Sequence, residues 1–236
     1  VTPFVATSGK ASLVGRHFYR YAPIDWLYCA KDSGGYLLVS EKILFVKPFT
    51  ETPVYRLEQG IEVEVWNNYE YSSIRSYLNS TFLDEVFSSS EKASILLTHV
   101  DNSLGTTIDD RNNNLCNDTD DYVYLPSCKE MNLGKTDKRF RKAVASDYFK
   151  AKGGRFEASA GASGEGNGFY WLRSPYPESR QSEYERVVDP IGMIYASYEH
   201  DSVPLNASFI DDEDTSSEYG PYGIRPMIRV KELPTV

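Results

Sequence analysis

An α+β domain is the fold class this sequence predicts, and three observations carry that reading. Aromatic and β-branched runs fill the first third of the chain. Residues 72–87 then switch to helical spacing. From residue 169 onward short strand-like runs return, separated by long polar loops. Strands and helices segregated along the chain in this way, without regular β-α-β alternation, indicate α+β rather than a parallel α/β sheet.

In chain order, "GRHFYRYAPIDWLYCA" and "GYLLVSEKILFVKPF" read as strands joined by the turn signal "KDSGG". "IEVEVW" (61–66) alternates apolar and charged residues, as a half-buried strand does. In "YSSIRSYLNSTFLDEVF", Ile74, Tyr77, Leu78, Phe82 and Leu83 keep helical spacing, with Ser72 or Ser73 as N-cap. "SSSEKASILLTHV" brings serine caps into a short helix or strand, and residues 101–121 form a long polar loop. "YVYLPS" reads as a strand, after which Ser127 and Glu130 make a capping box. "DKRFRKAVASDYFKAKGG" is partly helical, and "SAGASGEGNG" is a small-residue linker. "FYWLRSP", "RVVDP", "GMIYASY" and "GIRPMIRV" complete the strands. No repeat and no composition break divides the chain, so one domain over residues 1–236 is expected. Residues 1–15, opening without methionine at "VTPFVATSGK", read as a linker from an upstream leader or domain.

Composition narrows the partners. The formal net charge of −9 argues against nucleic acid and anionic membrane surfaces, which need a basic face. No apolar run approaches the roughly 18 residues of a membrane span, so no membrane insertion by this segment is expected. Cys29, Cys116 and Cys128 form no CxxC, and Cys116 and Cys128 flank an acidic loop across which they would pair if close enough. The sequence contains no HExxH, GxSxG or P-loop pattern. His17, His99 and His200 stand far apart and have no metal-ligand spacing. Asp109, Asp110, Asp118, Asp120 and Asp121 form one acidic cluster and residues 211–214 another. Solvated loops account for both, with calcium as the lesser alternative, so no cofactor is expected. The sequons at Asn79, Asn117 and Asn206 have meaning only where the source glycosylates secreted proteins.

Two arginines sit in aromatic, strand-like surroundings: Arg173 in "GFYWLRSPYP" and Arg225 in "YGIRPMIRV". A buried guanidinium is costly unless its fork is fully bonded, so each is a structural clamp or part of a binding site. Strand alternation puts Trp171 and Arg173 side by side, within stacking distance. Ser174 then falls on the other face, and Pro175 ends the ladder. Gly223 permits a close approach before Arg225, and Pro226 restricts pairing after it. With Arg75, one turn before Asn79, these arginines are expected to hold loop carbonyls and carboxylates where irregular backbone crosses the core.

These segments, taken in order, resemble an uncharacterised family of bacterial domains common in gut Firmicutes. The resemblance rests on Trp26, "YLLVSEKIL", Trp66 with "SSIRSYLNSTF", "VFSSSEK", "DYVYLPSCKEM", "FYWLRSP", "VVDPIGMI" and "GIRPMIRV". It runs from Trp26 to Val230. Here a tyrosine precedes "WLRSP" where many members have a second tryptophan, and Pro126 precedes Ser127. That family in turn resembles the C-type-lectin-like fold in the variant of formylglycine-generating enzymes and retroelement-diversified binding proteins. The resemblance implies two main helices packed around short twisted antiparallel sheets, with long loops on one side. Formylglycine-generating enzymes use reactive cysteines late in the chain, whereas nothing after Cys128 is cysteine here. The calcium motifs of lectins are likewise absent.

The resemblance therefore implies a non-enzymatic recognition module, extracytoplasmic or on the cell surface, whose ligand is a glycan or a protein. Its ligand face is expected late in the chain, at Tyr176, Arg180, Tyr184, Tyr195, Tyr198, His200, Tyr219 and Tyr222, since tyrosine and arginine suit a binding patch. The alternative is a structural or assembly domain of a larger surface protein, its arginines consumed internally.

Overall fold

The computed structural model describes residues 11–14, 17–20, 23–132, 140–177, 185–196 and 221–233, with backbone alone for 11–14, 17–20 and 195–196. It is an α+β arrangement of short elements around one apolar core. Strands β1 (Ala11–Val14) and β2 (His17–Arg20) form a hairpin at the start of the described chain. Strands β3 (Trp26–Asp32) and β4 (Gly35–Ser40) pair next, with Cys29 as the extra residue where the register shifts between Tyr28 and Ala30. Their turn is shaped by Asp32, whose Oδ1 accepts the Gly34 N–H at 2.8 Å. It needs glycine at position 35, where φ is +113° and a Cβ would lie 2.6 Å from the Val230 carbonyl oxygen.

The short strand β5 (Phe45–Val46) follows, then the hairpin β6 (Val54–Glu58) and β7 (Ile61–Val65). The helical run expected from the 74–83 spacing is present as α1 (Ser73–Tyr77), a π-turn at Leu78–Phe82, and α2 (Leu83–Val86). Ser72 is the N-cap and accepts the Arg75 N–H. Helix α3 (Ser89–Ser94) opens with a capping box of Ser88 and Glu91, so "SSSEKASILLTHV" is a helix followed by strand β8 (Thr98–Val100). Strand β8 pairs with β9 (Thr119–Asp121) across the long polar loop, and β10 (Val123–Tyr124) follows at once. Helix α4 (Cys128–Met131) has the Ser127–Glu130 capping box read from sequence. Of the stretch expected to be partly helical, α5 (Asp147–Ala151) is the helix. The late strands are β11 (Tyr170–Pro175), β12 (Glu185–Val188), β13 (Ile194–Ala196), β14 (Gly223–Ile224) and β15 (Met227–Val230).

Two sheets organise these strands. One has the order β10-β15-β4-β3 and is antiparallel throughout. The other has the order β13-β12-β11-β14-β5, with β11 and β14 parallel. Among the described residues the chain passes between the sheets four times, and the two direct crossings, from β4 to β5 and from β14 to β15, lie side by side. Ser40 N–H donates to the Pro226 carbonyl at 3.0 Å, and Leu44 N–H to the Ile224 carbonyl at 2.9 Å. Pro226 therefore sits at a sheet change, where its missing donor costs no ladder bond.

Strand β11 departs from the alternation expected of it. All six of its residues are buried, because the five-stranded sheet is covered on both faces. Trp171 meets Tyr222 edge-on at 4.7 Å and Phe49 at 5.9 Å between ring centroids. The ring under the Arg173 guanidinium is Tyr124, at 5.5 Å, in place of the expected Trp171. The register slips between Trp171 and Pro175, so simple period-two counting does not survive along this strand.

Gly223 marks the tightest point of the second direct crossing. A Cβ there would lie 2.1 Å from Ile43 Cγ2 and 2.5 Å from Phe149 Cε2, both in fully buried residues. Gly223→Ala is therefore expected to destabilise the fold by about 1–3 kcal/mol through overpacking. Urea denaturation of the two proteins measures it, and an unchanged midpoint would contradict the packing described.

Candidate functional site

The three arginines singled out from sequence all bond loop backbone. Arg173 is 4% exposed and bonds four residues at once. Its Nε donates to Asn102 Oδ1 at 3.1 Å, Nη1 to the Leu125 carbonyl at 2.7 Å and to Glu130 Oε2, and Nη2 to the Asp101 carbonyl at 3.2 Å. That Glu130 oxygen also accepts the Ser127 N–H at 2.8 Å, so the helix cap and the clamp share one carboxylate. Next along the strand, the Ser174 hydroxyl accepts the Cys128 N–H at 3.0 Å and donates to the Thr106 carbonyl at 3.3 Å. Arg225, fully buried, donates from Nε to the Ser40 carbonyl at 3.0 Å. Its Nη1 reaches the Phe140 carbonyl at 2.9 Å and Tyr170 Oη at 3.1 Å. Among the described residues no carboxylate pairs with it, and its Nη2 has no partner.

Arg75 and Asn79 fasten the α1 helix to the segment that runs from β9 into β10. Arg75 Nε donates to Asp121 Oδ1 at 2.8 Å and Nη1 to the Glu70 carbonyl at 2.8 Å. Asn79 Nδ2 donates to Asp121 Oδ1 and to the Val123 and Arg75 carbonyls, while its Oδ1 accepts the N–H groups of Tyr122 and Val123. A side chain that fully satisfied turns inward at the π-turn and gives the helix a fixed seat. Trp66, the remaining aromatic of that motif, donates from its indole N–H to Glu64 Oε2 at 3.1 Å.

Among the described residues, burial shifts the interior thiols and Glu185 toward their protonated forms. All three cysteines are free, so Cys116 and Cys128 do not pair. Burial pushes the thiols up, Cys29 and Cys128 to about 12 and Cys116 to about 11, leaving them protonated at neutral pH. His99 is exposed, with Asp120 at 3.1 Å from Nδ1 and Asp118 at 3.3 Å from Nε2, and the Asp120 hydrogen bond leads in raising its pKa. Glu185 is fully buried; its Oε1 accepts the Arg186 N–H at 2.9 Å, and its Oε2 has no partner. Desolvation holds its carboxyl well above the ordinary glutamate value. Arg186 beside it pairs with Asp109 and stacks over Tyr176 at 5.4 Å.

The first acidic cluster is thus dispersed among partners. Asp109 goes to Arg186, Asp118 accepts the Asn102 N–H at 2.8 Å, Asp120 meets His99, and Asp121 meets Arg75 and Thr119. Among the described residues no group of three His, Cys, Asp or Glu side chains is gathered as a metal centre. Residues 211–214 lie outside the described residues.

Of the late-chain candidates, Tyr222 is corrected: it is 3% exposed, wedged against Trp171 and Phe169, with its hydroxyl 3.3 Å from Arg155 Nη1. It packs inward because the β14 segment runs beneath the aromatic cluster of β11. Tyr176 is half-buried and its carbonyl accepts the Asn114 amide at 2.7 Å. Tyr195 lies on β13, paired with Val187, at one edge of the five-stranded sheet. Arg180, Tyr184, Tyr198, His200 and Tyr219 lie outside the described residues.

At the opposite edge of that sheet is an open groove of about 460 Å³, between the chain following β5 and the exposed face of α1. Four interstrand steps put it roughly 19 Å from the Tyr195 edge. Lys47 and Glu51 form one wall, their charged atoms 3.8 Å apart, and the Lys47 ammonium lies 4.5 Å from the centre of the Tyr77 ring. Ser76, Ser80 and Thr81 form the helix side, and Tyr71, 62% exposed, stands at the rim. Its sequence signal is a hydroxyl stripe at 73, 76 and 80, on the helix face opposite Ile74 and Leu78. Sequence reading passed over that stripe because it sought charge and aromatic clusters.

Fold and site together define an α+β domain with an arginine-clamped interior and an open, hydroxyl-lined groove. The chain belongs to the family described as Domain of unknown function (DUF6273), whose match spans residues 33–232. No curated protein and no solved structure matches the chain. Among the described residues no helix is long and apolar enough to cross a membrane.

Two outcomes follow from the interior. Arg173→Met strands the Glu130 carboxylate and the Leu125 and Asp101 carbonyls, and is expected to cost about 3–5 kcal/mol in chemical denaturation. Arg173→Lys recovers only part of this, since an ammonium cannot span all four partner residues. For Glu185, the folded state holds a proton that the unfolded chain releases above about 4.5. Its contribution is therefore complete below that pH and falls as pH rises, by up to about 1.4 kcal/mol per unit. Glu185→Gln is expected to flatten the decline between pH 5 and 8, and equal slopes for the two proteins would refute the assignment.

Proposed function

We propose that this domain is a ligand-recognition module that acts without catalysis, displayed on a cell surface or secreted, and takes a glycan or a protein ligand. The observation that carries this reading is the open groove at the β5 edge, with a tyrosine rim, hydroxyls and one ion pair on a helix locked in place by Asn79. Its size falls in the range of small-ligand sites, and its polar groups converge on one space. The protonated thiols support recognition over nucleophilic chemistry. A C-type-lectin-like arrangement agrees with the two small sheets, the long connections and the closing Gly223–Pro226 crossing. One domain over the whole chain agrees with the single core. Within this reading Tyr195, on the β13 edge, is the candidate for a second surface, from which Tyr222 is removed.

A second reading, a structural or assembly domain of a larger surface protein, draws on Arg75, Arg173 and Arg225 all being spent on internal backbone.

Glycan- and protein-array binding of the intact chain, with and without calcium, separates the two. Recognition predicts specific binding that Tyr71→Ala weakens about tenfold or more while thermal stability is kept. Binding that only a Tyr195→Ala variant abolishes would move the site to the opposite sheet edge. A folded protein that binds nothing on either array would sink recognition in favour of the structural reading.

A further inference from the structure

Presupposing the recognition reading above, we propose that the groove between Lys47 and α1 binds an uncharged saccharide. The ring of the sugar would lie on Tyr71, and its hydroxyls would bond Ser76, Thr81 and the Lys47–Glu51 pair. Four features of the groove select that chemistry over a charged ligand or a peptide.

The first is which hydroxyls are spoken for. Ser72 caps the helix, Ser73 Oγ accepts the Glu51 N–H at 2.9 Å, and Ser80 Oγ donates to the Ser76 carbonyl at 2.7 Å. Ser76 and Thr81 are exposed and make no such bond, so both can donate and accept. Vicinal sugar hydroxyls need that same double capacity.

The second is charge. Lys47 and Glu51 offer one cationic donor and one anionic acceptor 3.8 Å apart, with no net charge between them. A sulfated or carboxylated ligand meets Glu51 as it approaches Lys47, and a basic one meets Lys47 as it approaches Glu51. A neutral polyol satisfies both.

The third is the rings. The Lys47 ammonium already sits over Tyr77, so that ring is wall. Tyr71 stands exposed at the rim, its hydroxyl hydrogen-bonded to the Glu70 side chain, and offers a rigid flat ring that suits the C–H face of a pyranose. The groove otherwise has little apolar lining, which disfavours an anchored peptide side chain.

The fourth is the π-turn at Leu78–Phe82. It adds a residue to the helical turn, so positions 76, 80 and 81 share the face that an unbroken α-helix would give to 76 and 80. Asn79, bonded inward at the same turn, holds that presentation fixed.

The test is titration calorimetry on the intact chain with three sets of probes: neutral hexose oligosaccharides, sulfated oligosaccharides of matched length, and acidic and basic peptides. Two groove variants accompany it, Ser76→Trp, which fills the space, and the double change Ser76→Ala/Thr81→Ala. Both alter exposed positions, and the conservative double variant remains informative if the tryptophan perturbs folding. Neutral saccharides are expected to bind with little salt dependence, and each variant to weaken them tenfold or more. Saccharide binding untouched by both variants would overturn the groove assignment while leaving recognition intact, as would binding of peptides or sulfated probes alone. No binding of any probe, here or on the arrays, would overturn both.

Discussion

The hydrogen bond from Arg225 to the Ser40 carbonyl ties together the two direct crossings between the sheets, from β4 to β5 and from β14 to β15. Each crossing leaves backbone groups at the boundary of a ladder, deep in the core, where an unbonded carbonyl costs free energy. One guanidinium fork satisfies several such groups from a single side chain, which lysine cannot do. Arg225 takes Ser40 from one crossing and Phe140 from the segment entering α5, and braces Tyr170 on β11. Among the described residues its acceptors are all neutral, so oriented dipoles stand in place of a counter-ion. The cost of burying that charge is met by fixing three segments relative to one another.

The rest of the interior repeats this arrangement at a smaller scale. Arg173 gathers the chain after β8 and the entry to helix α4 through Asn102, Asp101, Leu125 and Glu130. Arg75 and Asn79 do the same for the segment from β9 into β10. In a fold whose strands run two to seven residues, regular ladders cannot satisfy most of the backbone, and side chains must complete the work. The consequence for the surface is rigidity. Helix α1 is seated by bonds on its inner face, so its outer hydroxyls keep their spacing without a ligand, and little ordering entropy opposes binding.

Much of this was legible in the sequence, and the exceptions have physical causes. The N-caps at Ser72 and Ser127 and the helix at 73–86 followed from local rules, because capping geometry and 3.6-residue spacing depend on nearest neighbours. Arg173 and Arg225 stood out because a guanidinium in an apolar strand has few tolerable explanations. Stacking of Trp171 on Arg173 was not observed, since the burial of both faces of β11 depends on what distant segments place there. Tyr222 was misplaced for the same reason: nothing local distinguishes a tyrosine covering a sheet from one wedged beneath it. The groove could not be seen because its two walls, Lys47 to Glu51 and α1, are more than twenty residues apart in sequence and meet through tertiary contacts, among them Phe45 on Tyr77 at 5.7 Å and the Glu51 N–H on Ser73 Oγ at 2.9 Å.

The distribution of charge separates interior from surface and decides where ligand chemistry can reside. Inside, every described arginine clamp is committed to backbone or to a carboxylate, and the three thiols and Glu185 are held in their protonated forms by desolvation. A site built there would have to break the clamps that make the fold. At the β5 edge the constraint is reversed: the helix is secured from behind, and the exposed hydroxyls of Ser76 and Thr81 carry no bond of the described fold. Groups free to exchange water for a ligand without unfolding anything are those a recognition surface requires, and the edge where the sheet ends and α1 begins is where this chain places them.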